Sequence, residues 1–211
     1  MRWLLAFGAT VVAAALSPGV ARADQLTSRE ADRLVHGDTV ARAETVVHGQ
    51  QRYVGGVAYT IVDAHEQELS ALLDDVGAWR RLLPNTRSAR KIGAAGQDSL
   101  IEMTHGSALV QVTYTIRVHH DDAGLRFWMD ARRPHDIEDV WGFFRTEPLA
   151  GGRTLVTYGI LVDMGPGLLR DLFENRVREA ALSVPDRVRG VLFERRAADR
   201  QAFAAGPDVR Y

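Results

Sequence analysis

Residues Gly151–Phe173 read GGRTLVTYGILVDMGPGLLRDLF. A double-glycine turn opens the stretch. An alternating run follows, with Val156, Tyr158, Ile160 and Val162 on one face. A period of two marks a strand with one buried side. Gly165 and Pro166 stop that strand, and proline suits the first turn of a helix. From Leu168 the period becomes 3.6: Leu168, Leu169, Leu172, Phe173 and Val177 open an apolar stripe. Ala180, Ala181, Val184, Val188, Val191 and Leu192 continue it, while ENRVRE, DRVR and ERR make the opposite face charged. A one-sided strand running into a long amphipathic helix asks for a curved sheet that the helix can close. Pro185 lies inside the stripe and is expected to kink the helix, at about 3 kcal/mol if nothing compensates.

The alternation recurs upstream. Leu109–His119 places Val110, Val112, Tyr114, Ile116 and Val118 on one face, and Gln111, Thr113, Thr115 and Arg117 on the other. That pattern suits a half-buried antiparallel strand. Further strands are expected at Tyr53–Val62, Arg87–Ile92, Ser99–His105, Leu125–Arg132 and Ile137–Glu147. Two short helices are expected after the first strand. Asp63 and Glu66 have capping-box spacing, Leu69, Leu72, Leu73 and Val76 follow at helical spacing, and the piece AWRRLLP is ended by Pro84. Gln25–His36 reads as a helix capped at Thr27 or Ser28 with Glu30 in reach, and Thr39–Val47 as an added edge strand. The expected fold class is α+β, with about six to seven antiparallel strands curved around one long C-terminal helix. Residues 24–52 form its N-terminal helix and strand, 53–196 the main domain, and 197–211, where the period is lost, a flexible tail.

Residues 1–23 read as a signal peptide: Arg2, an apolar run from Trp3 to Leu16, then small residues at Ala21 and Ala23. The run is too short to span a bilayer comfortably. Cleavage after Ala23 implies a periplasmic or secreted protein. There are no cysteines, which excludes disulfides, thiolate metal sites, a thiol nucleophile and an acylated lipoprotein. The chain carries 26 basic and 27 acidic side chains, so it has no basic footprint for nucleic acid. It has neither a phosphate-binding glycine loop nor a nucleophile elbow.

One dense polar cluster stands out, RPHDIEDVWGFFR at Arg133–Arg145. A metal site would need His135, Asp136, Glu138 and Asp139 to converge, but Asp139 points away from the face that Asp136 and Glu138 share. The stretch reads as a polar turn feeding a strand, with a ligand-gating loop as the functional alternative. Trp141 and Phe143 are placed on the apolar face and Phe144 opposite. A shift of one residue would bring in Val140, Gly142 and Phe144 instead. His119 and His120 are neighbours in a strand and do not chelate together easily. His105 shares an apolar face with Met103.

Val62–Pro84, VDAHEQELSALLDDVGAWRRLLP, and Gly151–Phe173 together resemble the opening and closing elements of the START-like, helix-grip (SRPBCC) superfamily, which includes polyketide cyclase and coenzyme-Q-binding-like domains. The likeness covers about Tyr53–Arg196. It implies a deep apolar cavity between sheet and helix that holds a lipid, sterol, quinone or polyketide. A minority of members catalyse cyclisation or hydrolysis, and no catalytic residue transfers onto this chain. On this resemblance the expected lining is Met103 and His105, then Val112, Tyr114 and Ile116, then Phe127 and Met129. Trp141, Phe143, Tyr158 and Ile160 follow from the later strands, and Leu169, Leu172 and Phe173 from the helix. His105, Tyr114 and Tyr158 are the groups able to bond a ligand hydroxyl or carbonyl. The expected function is an exported carrier of a lipid or polyketide-like molecule. The alternatives are a cyclase- or hydrolase-type enzyme using those three groups as acid and base, or a protein-interaction module. No cofactor or metal is expected. The partner is an apolar small molecule rather than nucleic acid, with transient contact to a membrane or envelope protein.

Overall fold

The computed structural model describes residues 26–107, 110–122 and 124–205; the side chains of residues 168–173, 199 and 202–205 lie outside that description. The expected signal peptide and the last six residues fall outside it too. The elements run α1 (Ser28–Val35), β1 (Val40–His48), β2 (Gln51–Val62), α2 (Glu66–Asp74), α3 (Trp79–Leu82), β3 (Thr86–Ala95) and β4 (Asp98–Gly106). They continue with β5 (Gln111–Asp121), β6 (Gly124–Met129), β7 (Asp139–Leu149), β8 (Arg153–Asp163), α4 (Leu168–Leu182) and α5 (Val184–Ala205). The strands form one antiparallel sheet in the order β1-β2-β8-β7-β6-β5-β4-β3. The sheet has eight strands, and the N-terminal edge strand β1 brings it above the expected six to seven.

The inner face of the sheet meets α2, α3 and α5 in one core. Leu69, Leu72, Leu82, Ile101, Met103, Tyr158 and Val188 are all within 2% of full burial. Each such side chain stabilises the fold by about 1.5–3 kcal/mol. On the opposite face α1 roofs β1, β2 and β8 with a smaller cluster of Leu34, Val40 and Tyr59 against Leu26, Val57, Ile61 and Leu155. The capping box of α1 is formed as the sequence spells it, with Thr27 at the cap and the Glu30 carboxylate accepting from the Thr27 amide at 2.8 Å. The box of α2 lies two residues later than the Asp63–Glu66 spacing suggests. Its cap is His65, whose amide donates to the Glu68 carboxylate at 3.1 Å. Asp63 and Ala64 are spent on the turn, where the Ala64 carbonyl accepts from Thr154 Oγ1 at 2.7 Å.

The long C-terminal stripe is divided at Ser183 into α4 and α5, two residues ahead of the kink expected at Pro185. Ser183 interrupts it, with its Oγ turned back to the Ala180 carbonyl at 2.7 Å. Pro185 then stands in the first turn of α5, where its missing N–H costs least. α5 runs on to Ala205, past the end of the apolar period. Its last nine residues include Ala197, Ala198, Ala202, Ala204 and Ala205, and alanine has the strongest intrinsic helix preference.

Arginines fasten both helices to the sheet and to α2. Arg52 pairs with Glu174 at 2.9 Å, and Arg178 bonds both Glu174 at 3.0 Å and Thr45 Oγ1 at 2.9 Å. Arg196 pairs with Glu68 at 2.6 Å, and Arg189 reaches Thr39 and Thr60 at 2.6 and 2.7 Å. Partly exposed pairs of this kind contribute modest energy each. Their value here is in orienting α4 and α5 over the sheet.

Candidate functional site

Between the inner face of the sheet and the helices lies a cavity of about 490 Å³. Its body is apolar. β5 supplies Val112, Tyr114 and Ile116; β6 supplies Leu125 and Phe127; and β8 supplies Tyr158 and Ile160. Met103 and His105 come from β4, and Val177, Ala180 and Ala181 from α4. The exposed members Asn85, Ser107, Val110, Asp136 and Arg176 mark the mouth. The cavity therefore opens between the β4–β5 end of the sheet and α4.

Eight of the sequence-predicted residues line this space: Met103, His105, Val112, Tyr114, Ile116, Phe127, Tyr158 and Ile160. The side chains of Leu169, Leu172 and Phe173 lie outside the described ones. Met129, Trp141 and Phe143 do not line it. Met129 is buried in the core, 7% exposed, but stops short of the cavity wall. For the other two the correction is one of register. β7 begins at Asp139, and the pleat turns Val140, Gly142 and Phe144 inward. Phe144 fills the place expected of Phe143, with its ring centroid 4.5 Å from that of Tyr158.

Two glycine–aromatic pairs hold that register. Gly142 pairs with Phe127 across the strands, and a Cβ on Gly142 would fall 2.4 Å from both the Phe127 Cζ and the Gly159 carbonyl oxygen. Gly159 pairs with Phe143, and a Cβ there would fall 2.4 Å from the Phe143 Cε1. Phe127 thus covers one glycine on the cavity side and Phe143 covers the other on the outer side, which is a known way of pinning strand pairs. The outer ring also carries the Arg145 guanidinium, 4.8 Å from its centroid. Trp141 faces outward across from Trp128, which is 38% exposed.

The cluster at Arg133–Arg145 is a latch and a piece of wall. β6 ends at Met129, leaving the first part of β5 without a strand partner on that side. The loop takes that place: the Asp136 amide donates to the Thr113 carbonyl at 3.0 Å, and the Asp136 carboxylate accepts from the Thr113 amide at 2.8 Å. His135 Nδ1 bonds the Ile137 carbonyl at 2.7 Å, and Asp139 accepts from the Tyr53 hydroxyl at 2.8 Å. The acids are dispersed onto different partners, and Asp136 and Ile137 line the cavity. His119 and His120 likewise bond separate carboxylates, Asp98 at 2.9 Å and Asp74 at 3.3 Å.

The polar groups inside the cavity are few. His105 sits near the end of β4, with Nδ1 3.2 Å from Thr86 Oγ1 and 3.5 Å from the Pro84 carbonyl. Its ring lies parallel to Tyr114, centroids 5.6 Å apart and planes 9° apart. Burial holds the imidazole below its ordinary pKa, partly offset by the Pro84 carbonyl, so it is neutral at pH 7. Its Nε2 is buried with no hydrogen-bond partner. Burial pushes the Tyr114 and Tyr158 phenols well above the usual range, so both stay protonated. The surface that Tyr114 retains is cavity surface.

Sequence reasoning missed Leu73, Trp79, Leu82, Pro84, Ile137 and Phe144 in the wall. The helical spacing of Leu72, Leu73 and Trp79 was a usable signal. The loop residues Pro84 and Ile137 carry no periodic signal.

No protein-family model matches the chain, and no curated protein matches it. Solved structures share its fold. A STAR-related lipid transfer protein from Xanthomonas axonopodis superimposes with a TM-score of 0.60 at 16% identity, over 73% of this chain and 93% of that one. A START superfamily protein from Mycobacterium smegmatis gives 0.55 at 12% identity, over 65% and 96%. A protein from Thermus thermophilus gives 0.53 at 16% identity, over 64% and 93%. The fold is the START-like helix-grip fold expected from the sequence.

Proposed function

We propose that this protein is an exported binder and carrier of an apolar small molecule, of lipid or polyketide-like character. The observation that carries the reading is the cavity itself, about 490 Å³ of apolar space left open under α4, with His105, whose buried Nε2 is unpaired, in its wall. Ligand pockets of a few hundred Å³ with a small number of placed polar groups are the usual form of such sites. A packed interior does not ordinarily leave that volume empty. An apolar molecule cannot cross water unaided, and an apolar pocket removes much of that penalty. A neighbour on the same fold bears the name of a lipid transfer protein, which agrees with this reading. Export rests on the N-terminal sequence, through Arg2, the run Trp3–Leu16 and the Ala21–Ala23 site.

The test is native mass spectrometry of the protein isolated from the envelope fraction of its own cells, followed by solvent extraction. The expected spectrum shows a chain starting at Asp24 with a releasable apolar adduct. A chain that keeps residues 1–23 and stays in the cytoplasmic fraction would refute export. A bare protein, with a cavity that no extract of the same envelope refills, would refute the carrier and favour the enzyme reading that His105 and the two tyrosines keep open.

A further inference from the structure

We propose that the cavity selects a neutral apolar molecule bearing a hydroxyl group, and that His105 Nε2 is the atom that receives it. The inference rests on the carrier reading and narrows its ligand class. Among the described residues the charged side chains of the lining are Asp136 and Arg176, both exposed at the mouth. Arg176 already has an interaction of its own, so it is not a cation waiting for a partner. Deeper in, the polar side chains are His105, Tyr114, Tyr158 and Trp79, and the Trp79 indole N–H is already given to the Leu73 carbonyl at 2.8 Å. The other three groups are uncharged at neutral pH, because burial opposes both protonation of the imidazole and ionisation of the phenols. An ionised carboxylate placed among them would be buried without a countercharge, which is heavily penalised. Recruiting a proton to His105 to pair with it works against the same burial.

The choice of a hydroxyl follows from His105 itself. Its Nδ1 faces Thr86 Oγ1, which can donate or accept, and the Pro84 carbonyl, which only accepts. If Nδ1 carries the proton, Nε2 is a bare acceptor. If Nδ1 accepts from Thr86, Nε2 is a donor. A hydroxyl both donates and accepts, so it satisfies Nε2 in either tautomer, whereas a carbonyl serves only one. Leaving such a buried atom unsatisfied costs about 1–3 kcal/mol. A ligand hydroxyl that satisfies it recovers that cost less its own lost hydration, while an isosteric hydrocarbon recovers none. Tyr114, stacked on the ring at 5.6 Å, holds the imidazole plane in place.

Three probes on one skeleton separate the classes: 1-pyrenebutanol, 1-pyrenebutyrate and 1-butylpyrene, titrated at pH 7.5 by pyrene fluorescence. The alcohol is expected to bind roughly ten-fold or more tighter than either the carboxylate or the hydrocarbon, the scale set by one satisfied buried hydrogen bond. In His105→Phe the alcohol should lose its advantage over butylpyrene while butylpyrene still binds. Tyr114→Phe, which keeps the ring stack, should leave most of that advantage in place. A direct readout on the unmodified protein guards against a misfolded variant: the ¹⁵N shift of His105 Nε2 should move with pyrenebutanol and not with butylpyrene. Equal binding of all three probes, with no shift at Nε2, overturns the ligand class and leaves the carrier reading standing. Tighter binding of the butyrate, lost in Arg176→Gln, also overturns it and locates an acid at the mouth. Failure of every probe to bind overturns both readings.

Discussion

Gly142→Ala tests the register of β7, and with it which aromatics face the cavity. A methyl at this position lands 2.4 Å from the Gly159 carbonyl oxygen and 2.4 Å from the Phe127 Cζ. The ring can turn aside only by giving up its packing over the cavity wall. The oxygen belongs to the paired strand and cannot move without parting β7 from β8. Overpacking of this kind typically costs 1–3 kcal/mol, occasionally more, and the backbone clash puts it at the upper end, about 3 kcal/mol. Gly159→Ala is the matched control. The three atoms nearest its methyl all belong to the Phe143 ring, at 2.4 to 3.0 Å, and that ring lies partly exposed on the outer face, where it and the exposed Arg145 over it can shift. The control should cost about 1 kcal/mol or less. With a urea m-value of about 2 kcal/mol/M, the midpoints should fall by about 1.5 M and under 0.5 M respectively. Equal losses, or a larger loss for Gly159→Ala, would refute the placement and return Trp141 and Phe143 to the interior.

Two further outcomes follow from the packing. Arg42, Thr27 and its amide hold the Glu30 carboxyl down to about 2 from an ordinary 4.5. A depressed carboxyl contributes stability that is present above pH 4.5 and is lost as pH falls toward 2. Urea midpoints measured between pH 6 and 2 should therefore decline on the acid side, and Glu30→Gln should flatten part of that decline; an unchanged slope would remove α1 from the acid response. Ala181 is 8% exposed and lines the cavity from α4. Ala181→Leu should raise the apo stability, by up to about 2 kcal/mol for three added buried carbons, while weakening pyrenebutanol binding several-fold. A loss of stability with binding unchanged would mean that the space beside Ala181 is already filled.

The parts of the fold legible in sequence are those where one face is apolar and the other polar. β5 shows its inner face by alternation alone, β8 does so less cleanly because Leu155 and Leu161 are apolar on its other face, and α1 shows its start through Thr27 and Glu30. β7 hides its register because VWGFF offers apolar groups to both sides. What decides between them is long-range: Phe127 over Gly142, Phe143 over Gly159, and Tyr53 bonded to Asp139. No local pattern contains those partners. The break at Ser183 was hidden for a different reason. Pro185 announces a disturbance, but its place depends on where the freed carbonyls find donors: here the Ser183 hydroxyl bonds the Ala180 carbonyl, and the Ser183 amide is shared between Glu179 and Ala180. Of the site, the strand residues could be found by facing. Pro84, Asn85 and Ile137 could not, since loops carry no period.

The interior is arranged against its own stability at one place. Elsewhere the inner face is filled by leucine, isoleucine and aromatic rings at almost full burial. Where α4 crosses the sheet, the helix presents Val177, Ala180 and Ala181, and the cavity lies beneath them. Longer side chains there would close the gap, and each added methylene would gain about 0.8 kcal/mol. His105 compounds the cost, because a phenylalanine would stack on Tyr114 equally well and leave no nitrogen unpaired. A sequence that keeps small residues on the covering helix and a polar ring on the wall gives up stability twice at the same spot. On the proposed reading the two concessions make sense together: the alanines leave room for a ligand, and the imidazole offers it a polar contact.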